Sequence, residues 1–198
     1  MIIGLTGGIG SGKSEVSNIL KEQFKIPIID ADAISEDIVK PGRKGLQAVS
    51  QSFGKEVITP DGELDREILR QKISRNDDDK RLLNSILHPL IESEVKEQID
   101  HYTRLGEKYI VYDCPLLFEA HQEKFVDLTI VVVCDDDERI NRVMKRDSCT
   151  KEDARKMIAI QMPQNQMVSK ADVVIDNNGT LEDLNQAVAF MMTKIDHL

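Results

Sequence analysis

The sequence predicts an α/β fold in three layers, with a five-stranded parallel sheet between helices. Five short apolar runs, Ile2–Thr6, Ile26–Ile29, Tyr109–Tyr112, Leu128–Cys134 and Val173–Ile175, read as buried parallel strands. Helical patterns separate most of them, as right-handed crossovers between parallel strands require. The first run leads into Gly7-Gly8-Ile9-Gly10-Ser11-Gly12-Lys13-Ser14, and a helical pattern with Val16, Ile19, Leu20 and Phe24 follows.

That strand, glycine loop and helix fit the G-x-x-x-x-G-K-[ST] phosphate-binding pattern in its required context. Gly7, Gly8, Gly10 and Gly12 let the backbone curl so that consecutive N–H groups point at an anion. The helix starting near Gly12 adds the positive end of its dipole. Lys13 reaches the outer phosphates of a nucleoside triphosphate, and the Ser14 hydroxyl can coordinate Mg²⁺.

The second run ends in Asp30-Ala31-Asp32, and from Ala33 to Lys108 no convincing strand occurs. Helices are expected around Ile34–Val39, Leu46–Phe53, from near Asp65, and around Lys80–Ile99. Pro41-Gly42, Pro60-Asp61-Gly62 and Asn76-Asp77-Asp78-Asp79 punctuate them as turns. Residues 33–105 thus form a helical subdomain inserted into a single domain whose core is 1–32 and 106–198. A second charged helical stretch, about 136–166, separates the fourth and fifth strands. A phosphate-binding sheet with two helical insertions points to a P-loop kinase fold with an acceptor domain and a lid.

In a parallel sheet the chemistry collects at the carboxyl ends of the strands. Asp32 has room to act as general base toward an acceptor hydroxyl, or to cap a helix beginning at Ala33, while Asp30 is the better-placed cap. Asp113 ends the third strand as an acid that orients Mg²⁺ or its waters, or as a plain turn residue. Asp135-Asp136-Asp137-Glu138 complements a helix dipole. Asp77-Asp78-Asp79 reads as a solvated turn. The lid stretch carries Arg139, Arg142, Lys145, Arg146, Lys151, Arg155 and Lys156. Arginine forks suit charge developing on a transferring phosphoryl group. Arg142 and Arg146, four apart on one helical face, are expected to swing over the triphosphate; the alternative for each is solvated surface. His88, before Pro89, has a structural and a functional reading.

Composition narrows the setting. The chain has 198 residues and a formal net charge of −9, which disfavours nucleic acid and anionic membrane as partners. It holds no 18-residue apolar stretch, and Met1 leads straight into the first strand with no charged leader. Cys114, Cys134 and Cys149 form no CxxC pair and read as free thiols of a reducing, cytoplasmic setting.

The chain resembles the dephospho-coenzyme A kinase family over nearly its whole length. The motifs are Ile3 to Ser14 with its Thr-Gly-Gly lead-in, Asp30-Ala31-Asp32, Leu64-Asp65-Arg66 and Ile86-Leu87-His88-Pro89. Asp113-Cys114-Pro115-Leu116-Leu117-Phe118-Glu119, then Arg142, Arg146 and Gln161, and Ala171 to Gly179 complete them in order. The resemblance implies transfer of a phosphoryl group from ATP, with Mg²⁺, to dephospho-coenzyme A. It implies Asp32, Lys13 and Arg142 as catalytic residues. Nucleotide contacts would come from Gly8, Ile9, Gly10, Ser11, Gly12, Lys13, Ser14, Glu15, Arg142, Arg146 and Asn177. Acceptor contacts would come from Asp30, Asp32, Arg66, His88 and Leu116, and metal contacts from Ser14 and Asp113. A monomer or weak homo-oligomer is expected. The chain departs from the family at Glu15, where Thr commonly stands, at Met167, where Lys or Arg often clamps phosphate (Lys170 lies a turn away), and at Ser74, a common aromatic position.

Two rival readings remain at this stage. A nucleoside monophosphate kinase would share fold and lid but lack Pro-Leu-Leu-Phe-Glu. A GTP-binding switch would use Asp176-Asn177-Asn178-Gly179 and Thr193-Lys194-Ile195-Asp196, but the latter falls in a terminal helical pattern rather than at a strand end.

Overall fold

Strand β1 (Ile2–Gly7) occupies the middle of the sheet, because its side chains are apolar on both faces and need cover above and below. The computed structural model describes residues 1–197. The remaining strands are β2 (Ile28–Asp30), β3 (Ile110–Asp113), β4 (Leu128–Val133) and β5 (Val173–Asp176), in the order β2-β3-β1-β4-β5. β1 pairs in parallel with β3, Ile3 opposite Val111, and with β4, Leu5 opposite Ile130; β4 pairs in parallel with β5. All five predicted strands exist, with ends moved by a residue or two. Ile26 falls outside β2 because its N–H closes onto the Leu20 carbonyl at 3.2 Å, and Pro27 supplies the carbonyl that receives Val111 N–H.

Helix α1 (Lys13–Glu22) follows the glycine loop and α9 (Leu181–Ile195) closes the chain. Val16 and Leu20 of α1 pack with Leu184, Val188 and Met192 of α9 and with Ile3, Leu5, Ile130 and Val132 of the sheet in one core. Each such fully buried aliphatic side chain contributes about 1.5–3 kcal/mol relative to exposure. α9 opens on a capping box between Thr180 and Asp183. Thr193-Lys194-Ile195-Asp196 lies at its far end, not at a strand end, so it cannot read a guanine base there. The lid stretch is three helices, α6 (Asp136–Asp147), α7 (Lys151–Ile160) and α8 (Gln164–Lys170). Ile140, Val143 and Ala154 share a small core with Ile9 of the loop, so α6 is seated on the sheet's phosphate-binding end.

The chain forms two compact units, one of Met1–Ile29 with the chain from Tyr102 onward, the other of Asp30–His101. The second is helical. α2 (Ala31–Asp37), α3 (Lys44–Phe53), α4 (Arg66–Arg75) and most of α5 (Asp77–Arg104) belong to it. Val49, Phe53, Val57, Leu69 and Leu83 give it a core of its own. The expected turn at Pro60-Asp61-Gly62 closes a small antiparallel bridge between Ile58 and Leu64, with Thr59 N–H donating to Glu63 O at 2.8 Å. Asp77-Asp78-Asp79 is not a turn. These acids form the first turn of α5, where they complement the helix dipole, and Asn76 Oδ1 receives Asp78 N–H at 2.9 Å. Ser74 is exposed, with its hydroxyl donating to Gln71 O, so no core aromatic is missing there.

The starts of β4 and β5 are joined by Asp172, whose Oδ2 receives both the N–H and the hydroxyl of Thr129 at 2.8 and 2.7 Å. The Thr129 side-chain hydrogen bond, then the backbone one, hold the Asp172 pKa below its ordinary 3.8. A depressed folded-state pKa stabilises the fold above the unfolded value and ceases to do so as pH falls through the folded value. Asp172→Ala should therefore lower Tm at neutral pH. The gap from the wild type should close on acidification below the carboxylate range, as thermal unfolding followed by circular dichroism at several pH values would report.

Candidate active site

The loop Gly8 to Gly12 leaves β1 and enters α1 with no side-chain cap on the helix. Gly12 adopts φ +91°, a left-handed conformation, and the Asn177 amide nitrogen occupies the space a β-carbon would take, with the Arg142 guanidinium packed 3.3 Å from it. Glycine is required there on both counts.

The loop carbonyls are all engaged. Gly8 O receives Ser11 N–H at 3.0 Å and Gly12 O receives Glu15 N–H at 3.0 Å. Ile9 O receives Arg139 Nε at 3.1 Å. Gly10 O and Ser11 O receive Arg142 Nη1 at 3.5 and 3.3 Å, and Ser11 O also receives Asn177 Nδ2 at 2.8 Å. Arg142 Nη2 reaches on to Asn177 O at 3.2 Å. Among the described residues, by contrast, the N–H groups of Gly10, Gly12, Lys13 and Ser14 donate to no protein acceptor, whereas Ile9 N–H donates to Gln161 Oε1 at 2.6 Å. The buried Ser11 hydroxyl is likewise without a partner among them. A loop with its acceptors paired and its donors open is built for an anion.

Lys13 Nζ forms an ion pair with Asp113, the last residue of β3; both side chains are largely buried, at 15% and 10% exposed. Past Asp113, the Thr6 hydroxyl donates to Pro115 O at 3.2 Å, which fastens the segment after β3 to the strand leading into the loop. Ser14 and Glu15 are exposed in the first turn of α1, and Leu116 is 47% exposed. Asp113 and Ser14 offer hard oxygen donors, and no group of three or more His, Cys, Asp or Glu among the described residues could cage a metal by itself. Mg²⁺ takes one or two such hard protein oxygens and completes its shell with phosphates and water.

The two lid arginines are engaged differently. Arg142 is not poised above the loop; it is already fastened to the loop backbone, with Glu138 holding its Nε at 3.0 Å. Arg146 is engaged within its own helix. Its fork closes on Asp147 at 2.8 Å twice, and the Arg146 hydrogen bond lowers the Asp147 pKa. Asn177, expected at the nucleotide, spends its amide on Ser11 O. Met167 is fully buried, and Lys170 lies over the Phe118 ring at 5.8 Å. Arg139, only one among seven basic residues in the sequence pattern, turns out to be buried against the loop. Its spacing from Asp136 (Arg139 Nη1 to Asp136 Oδ1, 3.0 Å) was visible in sequence, but nothing local marked the pair as buried.

In the helical unit, Asp30 caps α2: its Oδ1 receives the N–H groups of Asp32 and Ala33 at 2.8 and 3.0 Å. Asp32 therefore does not cap a helix; it stands exposed in the first turn of α2. Arg66 is exposed at the start of α4, whose cap is Asp65, and His88 is exposed on α5 just before the in-helix Pro89. Burial pushes the Cys134 thiol pKa up, and all three cysteines are free.

Comparison with known proteins gives a consistent result. The profile of one family, dephospho-CoA kinase, matches residues 1–183. A dephospho-CoA kinase of Arabidopsis thaliana is 43% identical over 194 residues, covering 98% of this chain and 83% of that protein. One of Corynebacterium glutamicum is 41% identical over 193 residues, covering 98% and 96%. The solved structure of a dephospho-CoA kinase from Campylobacter jejuni superposes with a TM-score of 0.74 at 24% identity over 98% of this chain and 96% of that one, a likeness of fold.

Gly12→Ala should be destabilising by about 1–3 kcal/mol, since a β-carbon forces a left-handed backbone and displaces Asn177. Urea unfolding of the purified variant measures this, and a change below about 0.5 kcal/mol, the range of featureless surface substitutions, would contradict it.

Proposed function

Because the chain belongs to the dephospho-CoA kinase family, we propose that it transfers the γ-phosphoryl group of ATP to the ribose 3′-hydroxyl of dephospho-coenzyme A, giving coenzyme A and ADP. One observation carries the nucleotide half of this reading: the glycine loop pairs its carbonyls with Arg139, Arg142 and Asn177 while the N–H groups of Gly10, Gly12, Lys13 and Ser14 stay open.

Phosphoryl transfer asks a protein chiefly for positioning and charge stabilisation. The open N–H groups and the α1 dipole bind the phosphates, and Lys13 supplies a charge next to the transferring group. Asp113 holds the Lys13 ammonium at the base of the loop, and with Ser14 it is the residue set that would hold Mg²⁺. The ion, when bound, neutralises charge on the phosphate oxygens. Arg142 contributes charge from its seat on the loop backbone. Asp32 takes the proton of the acceptor hydroxyl. Support for that role is its exposed carboxylate, with the capping duty already met by Asp30, and the family's D-A-D element. Arg66, His88, Asp30 and Leu116 are proposed acceptor contacts on the family motifs alone. Free cysteines fit the reducing cytoplasm.

A coupled ADP-release assay with ATP and either dephospho-coenzyme A or AMP should show turnover with the first at least about a hundredfold faster, the scale that lost pocket contacts alone supply. Equal or faster turnover with AMP would overturn the acceptor assignment. Asp32→Asn should lower kcat by roughly 10²–10⁴-fold with little change in KM for either substrate, since the amide cannot accept the proton. A variant of normal kcat would remove Asp32 as the base.

A further inference from the structure

We propose that Arg139 is a positioning residue for nucleotide binding, acting on the glycine loop from behind without touching the nucleotide. The inference rests on the reading of that loop as the ATP site. Its side chain is 4% exposed, although Arg139 sits in the first turn of a helix whose neighbouring acids are solvated. A buried guanidinium is costly unless its donors are used, and here they are used on the loop. Nε donates to Ile9 O at 3.1 Å, and Nη1 is held by the exposed Asp136 at 3.0 Å. Nη2 fills the place where a β-carbon on Gly8 would stand. The Arg139 carbonyl lies 2.7 Å from where a β-carbon on Gly10 would be.

Two glycines of the loop are thus in contact with one arginine. Gly8 keeps an ordinary backbone, without positive φ, so what demands glycine there is the close approach of the guanidinium. Asp136 fixes the fork from the solvent side, and Ile140 and Val143 seat the helix beneath it against Ile9. The fork therefore sets the curvature of the Gly8–Gly10 arch. It also turns the guanidinium, the buried end of its pair with the exposed Asp136, toward the loop, on whose open-donor side a polyanion will bind. Lysine cannot replace it, since a single ammonium offers neither the Nε–H aimed at Ile9 O nor the planar face against Gly8.

The test is a double-mutant cycle on binding of the non-hydrolysable β,γ-imido analogue of ATP with Mg²⁺, measured by titration calorimetry. Gly8→Ala, Arg139→Ala and the double variant are compared with the wild type, alongside KM values for both substrates. Each single change should weaken binding about tenfold, within the span of couplings measured between contacting residues. The double variant should bind no more than about threefold worse than the weaker single variant, because the new methyl enters space the guanidinium has left. Arg139→Lys should stay defective, and KM for dephospho-coenzyme A should stay unchanged throughout, which a general loosening of the fold would not allow. If Arg139→Ala does not fold, Arg139→Gln enters the same cycle with the same expectation. Losses that multiply in the double variant, full binding by Arg139→Lys, or wild-type binding by Arg139→Ala would each overturn the inference while leaving the nucleotide site intact. Failure of the wild type to bind the analogue would overturn both.

Discussion

A backbone that is to grip a polyanion has to solve a problem of its own making, because every N–H it offers comes with a carbonyl of opposite polarity. In this loop the carbonyls are withdrawn one by one. Gly8 and Gly12 spend theirs inside the turn, and Ile9, Gly10 and Ser11 spend theirs on Arg139, Arg142 and the Asn177 amide. Two of the three donors are guanidinium groups, whose carboxylate partners Asp136 and Glu138 are the more exposed members of each pair. Lys13, the loop's own cation, is restrained by Asp113 at the end of the neighbouring strand. Sheet order, the seat of α6 and the turn after β5 can all be read as the means of bringing these partners to one place.

Much of this was legible in the residues. The strands announced themselves as apolar runs, the glycine loop by its spacing, and the helical insertion by the absence of strand patterns between Ala33 and Lys108. The acids Asp77, Asp78 and Asp79 were misread because a polar run before a helix looks the same whether it ends a turn or begins the helix; the dipole chooses the second. Arg142 and Arg146 share a helical face by spacing, yet one is bound to the loop and the other to Asp147. Periodicity says which side of a helix a residue occupies, not how far along the helix the neighbouring element reaches. The partners of Arg139 and Gln161 were hidden for the same reason: they lie 130 and 152 positions away, beyond anything local pattern can report.

The connection between α7 and α8 shows how the two insertions differ. Gln161 is tied to Ile9 of the loop and Met162 N–H to Glu119 Oε1 at 2.9 Å, so two adjacent residues are pinned to two different strand-end segments. The lid stretch is thereby stitched into the nucleotide-binding unit. The helical unit instead carries its own core around Val49, Phe53 and Leu83. Groups proposed to hold nucleotide and groups proposed to hold the acceptor are organised around separate apolar centres, which is an economical way to let one vary while the other is kept.

The central place of β1 in the sheet has a consequence for the order in which the molecule can be made. Its partners are β3 and β4, which begin at Ile110 and Leu128, so β1 has no partner strand until the helical insertion has been made. Ile3 and Leu5, fully buried in the finished protein, have to wait with their backbone groups unpaired while the whole helical insertion is translated. Pairing at such separations is entropically slow, and an apolar segment left open for that time is exposed to aggregation. The helical unit, built from near neighbours in sequence, can meanwhile fold behind it. The helical unit can thus be complete before the sheet is, and the glycine loop is finished only when residues as late as Asn177 have arrived.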